Sequence, residues 1–191
     1  MSANASQNGL RYLLLSCAVA LVVPLAGCEN ARTDPVPIEA AILLDVEGMH
    51  GGRNLWLASD GTAVVQVVGH VTQAVGGLPE KCYRVRFGKA AVTEVERLVG
   101  AHRFLDLNLT LRVGPPGGGH PEIAVLTKAG GRGASIKRED DKHPDFDPLY
   151  AHLLLLAQKL DGAELIHEGA FDWDWHPDGF PSPKEIRGWS K

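Results

Sequence analysis

Apolar residues recur along this chain in short alternating runs, separated by two longer stretches at helical spacing. From Glu39 onward, Ala40, Ile42, Leu44 and Val46 fall on one parity with Leu43 between them, which predicts a strand with a buried face. Residues 54–59 and 62–68 flank Asp60-Gly61. Asp-Gly between two apolar runs predicts a hairpin with a primed turn, because glycine reaches positive φ without strain. Tyr83, Val85 and Phe87 alternate with Cys82, Arg84 and Arg86, which sends one set to the core and turns two arginines the other way. In residues 89–102 the spacing becomes helical. Ala91, Val92, Val95, Leu98 and Val99 make one stripe, and Glu94 and Arg97 can pair on the outer face.

A strand is predicted for residues 107–113, a glycine-rich loop for 114–121, and a second hairpin from residues 122–127 and 134–137. Asp147-Pro148 reads as an N-cap with proline in the first helical position. The helix it opens runs to about Leu160, with Leu149, Leu153, Leu156 and Ala157 on its apolar stripe and Asp161-Gly162 as its stop. Strands thus come in groups, each followed by one helix. The expected fold is α+β, an antiparallel sheet with two helices packed on one face.

The N-terminus is patterned differently. Residues 12–23 form an almost unbroken apolar run behind Arg11. That is about a dozen residues, short of the roughly 18 to 20 that a permanent membrane span requires. The run leads into Leu25-Ala26-Gly27-Cys28, which resembles the lipobox of bacterial lipoproteins at all four positions. The resemblance implies cleavage before Cys28, a diacylglyceryl group on its thiol and N-acylation of the new terminus. An uncleaved signal anchor and a simple secretory peptide cut elsewhere are the alternatives. Two or more acyl chains anchor firmly where one holds only marginally, so the expected partner is membrane lipid through Cys28. The expected location is the bacterial cell envelope, on its periplasmic or outer face. The organisation that follows is a signal peptide at 1–27, a lipidated cysteine and tether at 28–37, an α+β domain at 38–165 and an aromatic-rich extension at 166–191.

Charge and composition narrow the function classes. Lys and Arg number 19 against 23 Asp and Glu, a net charge of −4, which carries no footprint of a nucleic-acid binder. Arg11 is the single charged side chain of the leader, so the mature chain is more acidic still and lipid has to provide the attachment. Removal of Cys17 and acylation of Cys28 leave Cys82 without a disulfide partner. Lys81 and Arg84 beside Cys82 would favour a thiolate, although a lone free cysteine is commonly a small core residue. Acids and histidines gather before the last helix (Asp140, Asp141, His143, Asp145, Asp147) and in the tail (Asp172, Asp174, His176, Asp178). Neither group has the spacing that fixes metal geometry, and turn or capping roles explain them better, so no metal and no cofactor are expected. His102 and His152 are expected at the rims of their helices. The glycines of 114–119 lack the Lys-Ser/Thr of a phosphate loop, and there is no Gly-x-Ser-x-Gly elbow.

Two features remain as candidates for contact with a partner. Arg84 and Arg86, with Lys81 and Lys89, form the densest basic cluster and would meet an anionic partner if the sheet face opposite the helices were open. Phe171, Trp173, Trp175, Phe180 and Trp189 crowd the last 21 residues. Such aromatics either dock on their own domain or meet another molecule, Trp173 and Trp175 above all. The expected function is a non-enzymatic module binding a ligand or an envelope protein. The alternative is an envelope enzyme, a hydrolase.

Overall fold

The valine-rich run Thr62–Val68 forms a strand at the middle of an antiparallel sheet, where residues of both parities are buried. The computed structural model describes residues 34–71, 77–107, 109 and 119–189. Among these the order is β1 (Ile38–Leu44), β2 (Val46–Glu47), β3 (Gly51–Ala58), β4 (Thr62–Val68), β5 (Pro79–Arg86), α1 (Lys89–Ala101), a 3-10 turn (Phe104–Asp106), β6 (Glu122–Thr127), β7 (Arg132–Ile136), α2 (Asp147–Ala157), β8 (Glu164–Ala170) and α3 (Pro183–Arg187). The sheet runs β7-β6-β1-β3-β4-β5-β8 with every pair antiparallel, and β2 adds a short pairing to β3. This is the expected α+β class, with α1 and α2 on one face. Cys28 and the leader lie outside the described residues. So does most of the strand expected at 107–113, although the Leu107 and Leu109 carbonyls accept hydrogen bonds from Ser135 Oγ (3.2 Å) and the Ile136 N–H (3.3 Å).

Both faces of the sheet are covered: the helices pack on one, as expected, and the aromatic tail docks on the other. Ala41, Leu43, Leu55, Leu57 and Val65 join the α1 and α2 stripes and Phe104 in one core. Ile42, Trp56, Val64, Cys82 and Ala124 look the other way into a second core, closed by Ile186 of α3 with Trp175, Phe180 and Trp189. The tail therefore lies on the face that would otherwise leave Trp56 in water. Local chemistry shapes the tail for this. Asp172 Oδ1 accepts from the Asp174 N–H at 2.9 Å. Ser182 and Glu185 form a reciprocal capping box with Pro183 between them, which starts α3 where one turn suffices to bury Ile186.

Corrections follow from the same geometry. β8 crosses the boundary expected after residue 165, so that part of the extension belongs to the sheet. The 58–62 turn is not a two-residue primed turn. Ala58 O accepts from the Gly61 N–H, and Gly61 alone takes the left-handed conformation (φ 85°), the geometry of a longer hairpin loop. α2 stops at Ala157, short of Leu160, and Asp147 does not cap it. The Asp147 carboxylate turns back to accept from the His143 N–H at 3.1 Å and sits 3.2 Å from Lys137 Nζ. The ammonium of Lys137, itself buried, donates to the carbonyls of Arg138, Glu139 and Asp141, so its contact with Asp147 is coulombic and lacks hydrogen-bond geometry. Residues 34–37 belong to the fold and not to the tether: the Val36 N–H donates to Glu96 O at 3.1 Å, and Pro37 O accepts from Lys128.

Candidate functional site

Where the tail crosses the ends of β1, β2 and β6, it leaves a cleft of about 400 Å³. Its floor includes Leu44, Asn54 and Glu122, and one wall is the Phe171–Trp173 pair, whose rings meet edge to face at 4.6 Å. Register places Glu122 there. β6 sends Ile123 into the helix-side core and Ala124 into the tail-side core, so Glu122 projects under the tail between Leu44 and Ile136. The side chain is only about 6% exposed, and its carboxylate makes no hydrogen bond to any described residue. The cation beside it is Arg187 of α3, whose Nε lies 3.9 Å away, beyond hydrogen-bond reach. Burial pushes the Glu122 carboxyl above the usual glutamate range, and the Arg187 charge offsets part of that rise. Glu47 and His120 complete the polar lining.

Behind the cleft a line of buried polar side chains crosses four strands. Asn54 Oδ1 accepts from the Asp45 N–H (2.8 Å), Asn54 Nδ2 donates to Gln66 Oε1 (2.7 Å), and Gln66 Nε2 donates to Glu80 Oε2 (2.6 Å). Glu80, 1% exposed, is approached at 3.1 Å by His167 Nε2 of β8. The imidazole of His167 stacks on Trp175, which in turn meets Trp56 edge to face at 5.6 Å. A satisfied chain of this kind fixes register and holds the tail in place, because each member would carry a desolvation penalty without the next. At its other end Asp45 accepts from the Tyr150 hydroxyl at 3.0 Å, and burial raises the carboxyl of Asp45.

The residues singled out from the sequence are distributed unevenly over this face. Trp173 lines the cleft and is half exposed. Trp175 and Arg84 share a second, shallower hollow of about 370 Å³ on the far side of the tail. The basic cluster is largely answered from within: Arg84 pairs with Glu164 at 3.2 Å and Lys81 with Glu168 at 3.1 Å, both acids on β8. Arg86 is exposed and reaches neither hollow. Cys82 is fully buried, and burial, with the Glu80 charge beyond it, pushes its thiol up to about 12, the opposite of a reactive thiolate. His102 lies 3.4 Å from Asp145. His152 is half-buried beside α1, and desolvation pulls its imidazole down. Among the described residues no three His, Cys, Asp or Glu side chains converge as metal ligands, and no helix is long and apolar enough to cross a membrane.

Sequence reasoning passed over Glu122, Asn54, Gln66 and Glu80. Gln66 had left a signal, a lone amide inside the valine run of β4. Glu122 left none, since a glutamate opening a strand is ordinarily solvated. Comparison with protein-family models, curated proteins and solved structures finds no match for this chain.

Proposed function

We propose that this protein is a lipid-anchored, non-enzymatic binding module of the bacterial cell envelope, held to its membrane through acylated Cys28, and that its ligand sits in the cleft beneath Trp173. The observation that carries the reading is Glu122, a largely buried carboxylate that accepts no hydrogen bond from any described residue, on the floor of a cavity walled by aromatic rings. Such a group destabilises the empty protein, and groups of this kind concentrate where a ligand completes them. The cleft lining includes no serine, threonine or cysteine among the described residues, which favours binding over nucleophilic hydrolysis. The lipobox at residues 25–28 supports the anchor.

Two measurements test this. Metabolic labelling with a fatty acid marks the wild type, and Cys28→Ser abolishes the label; an unlabelled wild type removes the anchor. For the cleft, a small-molecule library titrated into the mature chain carrying Cys28→Ser shifts the NMR signals of the Trp173 indole and the Ile136 methyls. Trp173→Ala weakens those responses. A library without effect on either residue rejects the cleft as a binding site, and turnover of a bound compound favours a hydrolase.

A further inference from the structure

The cleft has a charge pattern that selects among ligands. Among the described residues, Glu122 and Glu47 bring two carboxylates to it, against the guanidinium of Arg187 and the imidazole of His120. Glu122 is buried while Arg187 is mostly exposed on a one-turn helix, so the negative charge is the fixed, desolvated one and the positive charge is the mobile, hydrated one. An anion entering here would be set against a carboxylate in a poorly solvated space. A neutral hydroxyl would give Glu122 a hydrogen bond but leave its charge uncompensated. A cation answers both needs, and the Phe171 and Trp173 rings that line the same cleft can attract it where it meets a ring face. Leu44 and Ile136 add apolar surface beside the carboxylate.

We propose that the cleft receives an alkylammonium group, its nitrogen on Glu122 and its hydrocarbon stem against the Phe171–Trp173 pair. This rests on the reading of the cleft as a binding site and specifies its ligand. The same chemistry is carried by a free aliphatic amine and by the side chain of a lysine in a peptide. Arg187 acts here as a competitor: its guanidinium stands 3.9 Å from Glu122 without bonding to it and is displaced toward solvent when the ammonium arrives.

The test uses the mature chain carrying Cys28→Ser, with pentane-1,5-diamine and Nα-acetyl-lysine methylamide as cationic probes. Pentane-1,5-diol is the neutral probe and pentanoate the anionic one. Both cations shift Trp173 and Ile136 and bind more tightly than the diol. Glu122→Gln, which keeps the shape of the side chain, weakens the cations by about tenfold or more and leaves the diol unchanged, the loss expected for a charge-assisted hydrogen bond. Arg187→Gln acts in the opposite direction and tightens them. Preference for the diamine assigns the site to free amines, and preference for the lysine derivative assigns it to a peptide. Tighter binding of pentanoate, lost in Arg187→Gln, overturns the alkylammonium assignment but keeps the cleft as a binding site. So does cation affinity that is indifferent to Glu122→Gln. Silence of Trp173 and Ile136 with all four probes defeats both.

Discussion

Glu122, with its carboxyl pKa raised by burial, should destabilise the fold at neutral pH, and the sign of that effect is measurable. Its folded-state pKa is raised above the ordinary glutamate value near 4.5. The folded state therefore holds the proton more tightly than the unfolded chain, and stability falls as pH rises from the ordinary value through the raised one. Below that interval the carboxyl is neutral in both states and the penalty vanishes. Burial raises the Glu122 pKa and Arg187 on α3 lowers it in part, while Glu47 on β2 and His120 just before β6 share the cleft lining. Glu122→Gln should thus raise the thermal midpoint at pH 7 and leave it unchanged near pH 3, as read by calorimetry at the two pH values; a lower midpoint at pH 7 would show that Arg187 outweighs burial. Cys82 gives the complementary case of a buried group with no task. Native Cys82 should react with a thiol reagent at pH 8 only as fast as the chain opens, and Cys82→Ala should cost about 1–2 kcal/mol, the scale for a small side chain removed from a core.

Among the elements, those with strong apolar periodicity were legible and those held by tertiary contacts were not. The 89–101 helix and the parity of β5 follow from spacing, and the two hairpins from apolar runs joined by turn residues, because each has an apolar stripe to bury. β8 escaped because its sequence, ELIHEGA, alternates poorly; as an edge strand it is held by backbone pairing to β5 and by the Arg84–Glu164 and Lys81–Glu168 pairs. α3 did leave a signature in Ser182-Pro-Lys-Glu185, an N-cap and capping box too short to register as a helix by periodicity. Of the cleft, the aromatic wall, Trp173 with Phe171, was legible as a candidate. Its floor depends on which strand lies beside which, and no single segment encodes that. The contribution of the tail is testable at this scale. Ile186 is fully buried, and burying such a side chain contributes about 1.5–3 kcal/mol, to which the Trp175 contact with Trp56 adds. Deletion of residues 171–191 should lower the thermal midpoint by roughly 4–8 °C, the response of a domain this size to about 2 kcal/mol, and should expose Trp56 to an apolar dye. An unchanged midpoint would mean that the second core contributes nothing to folding.

For the whole molecule, under the proposed attachment through Cys28, the number of residues between Cys28 and the first described contact bounds how far the domain stands from its membrane. The sequence reading placed the tether at residues 28–37, a reach of roughly 30 Å at full extension. With Asp34 to Pro37 laid along α1, five residues separate Cys28 from the first described contact, a reach of roughly 17 Å at full extension. One glycine permits this docking. Gly100, near the end of α1, faces the carbonyl of Asp34 so closely that a Cβ there would stand 2.4 Å from the oxygen and 3.5 Å from the Val36 nitrogen. Those are backbone atoms, and neither can turn aside as a flexible side chain would. Gly100→Ala should therefore lift Asp34 and Val36 from α1, release the Val36 N–H from Glu96 O and cost about 1–3 kcal/mol as an overpacked contact. Amide exchange at Val36 and Ile38 should accelerate while exchange in β4 keeps its wild-type rate. Gly88→Ala is the control: Gly88 precedes the same helix in an extended conformation, with nothing within 4 Å of an added Cβ, so exchange at Val36 should not change. Equal protection of Val36 in Gly100→Ala and wild type would return these residues to the tether and restore its longer reach.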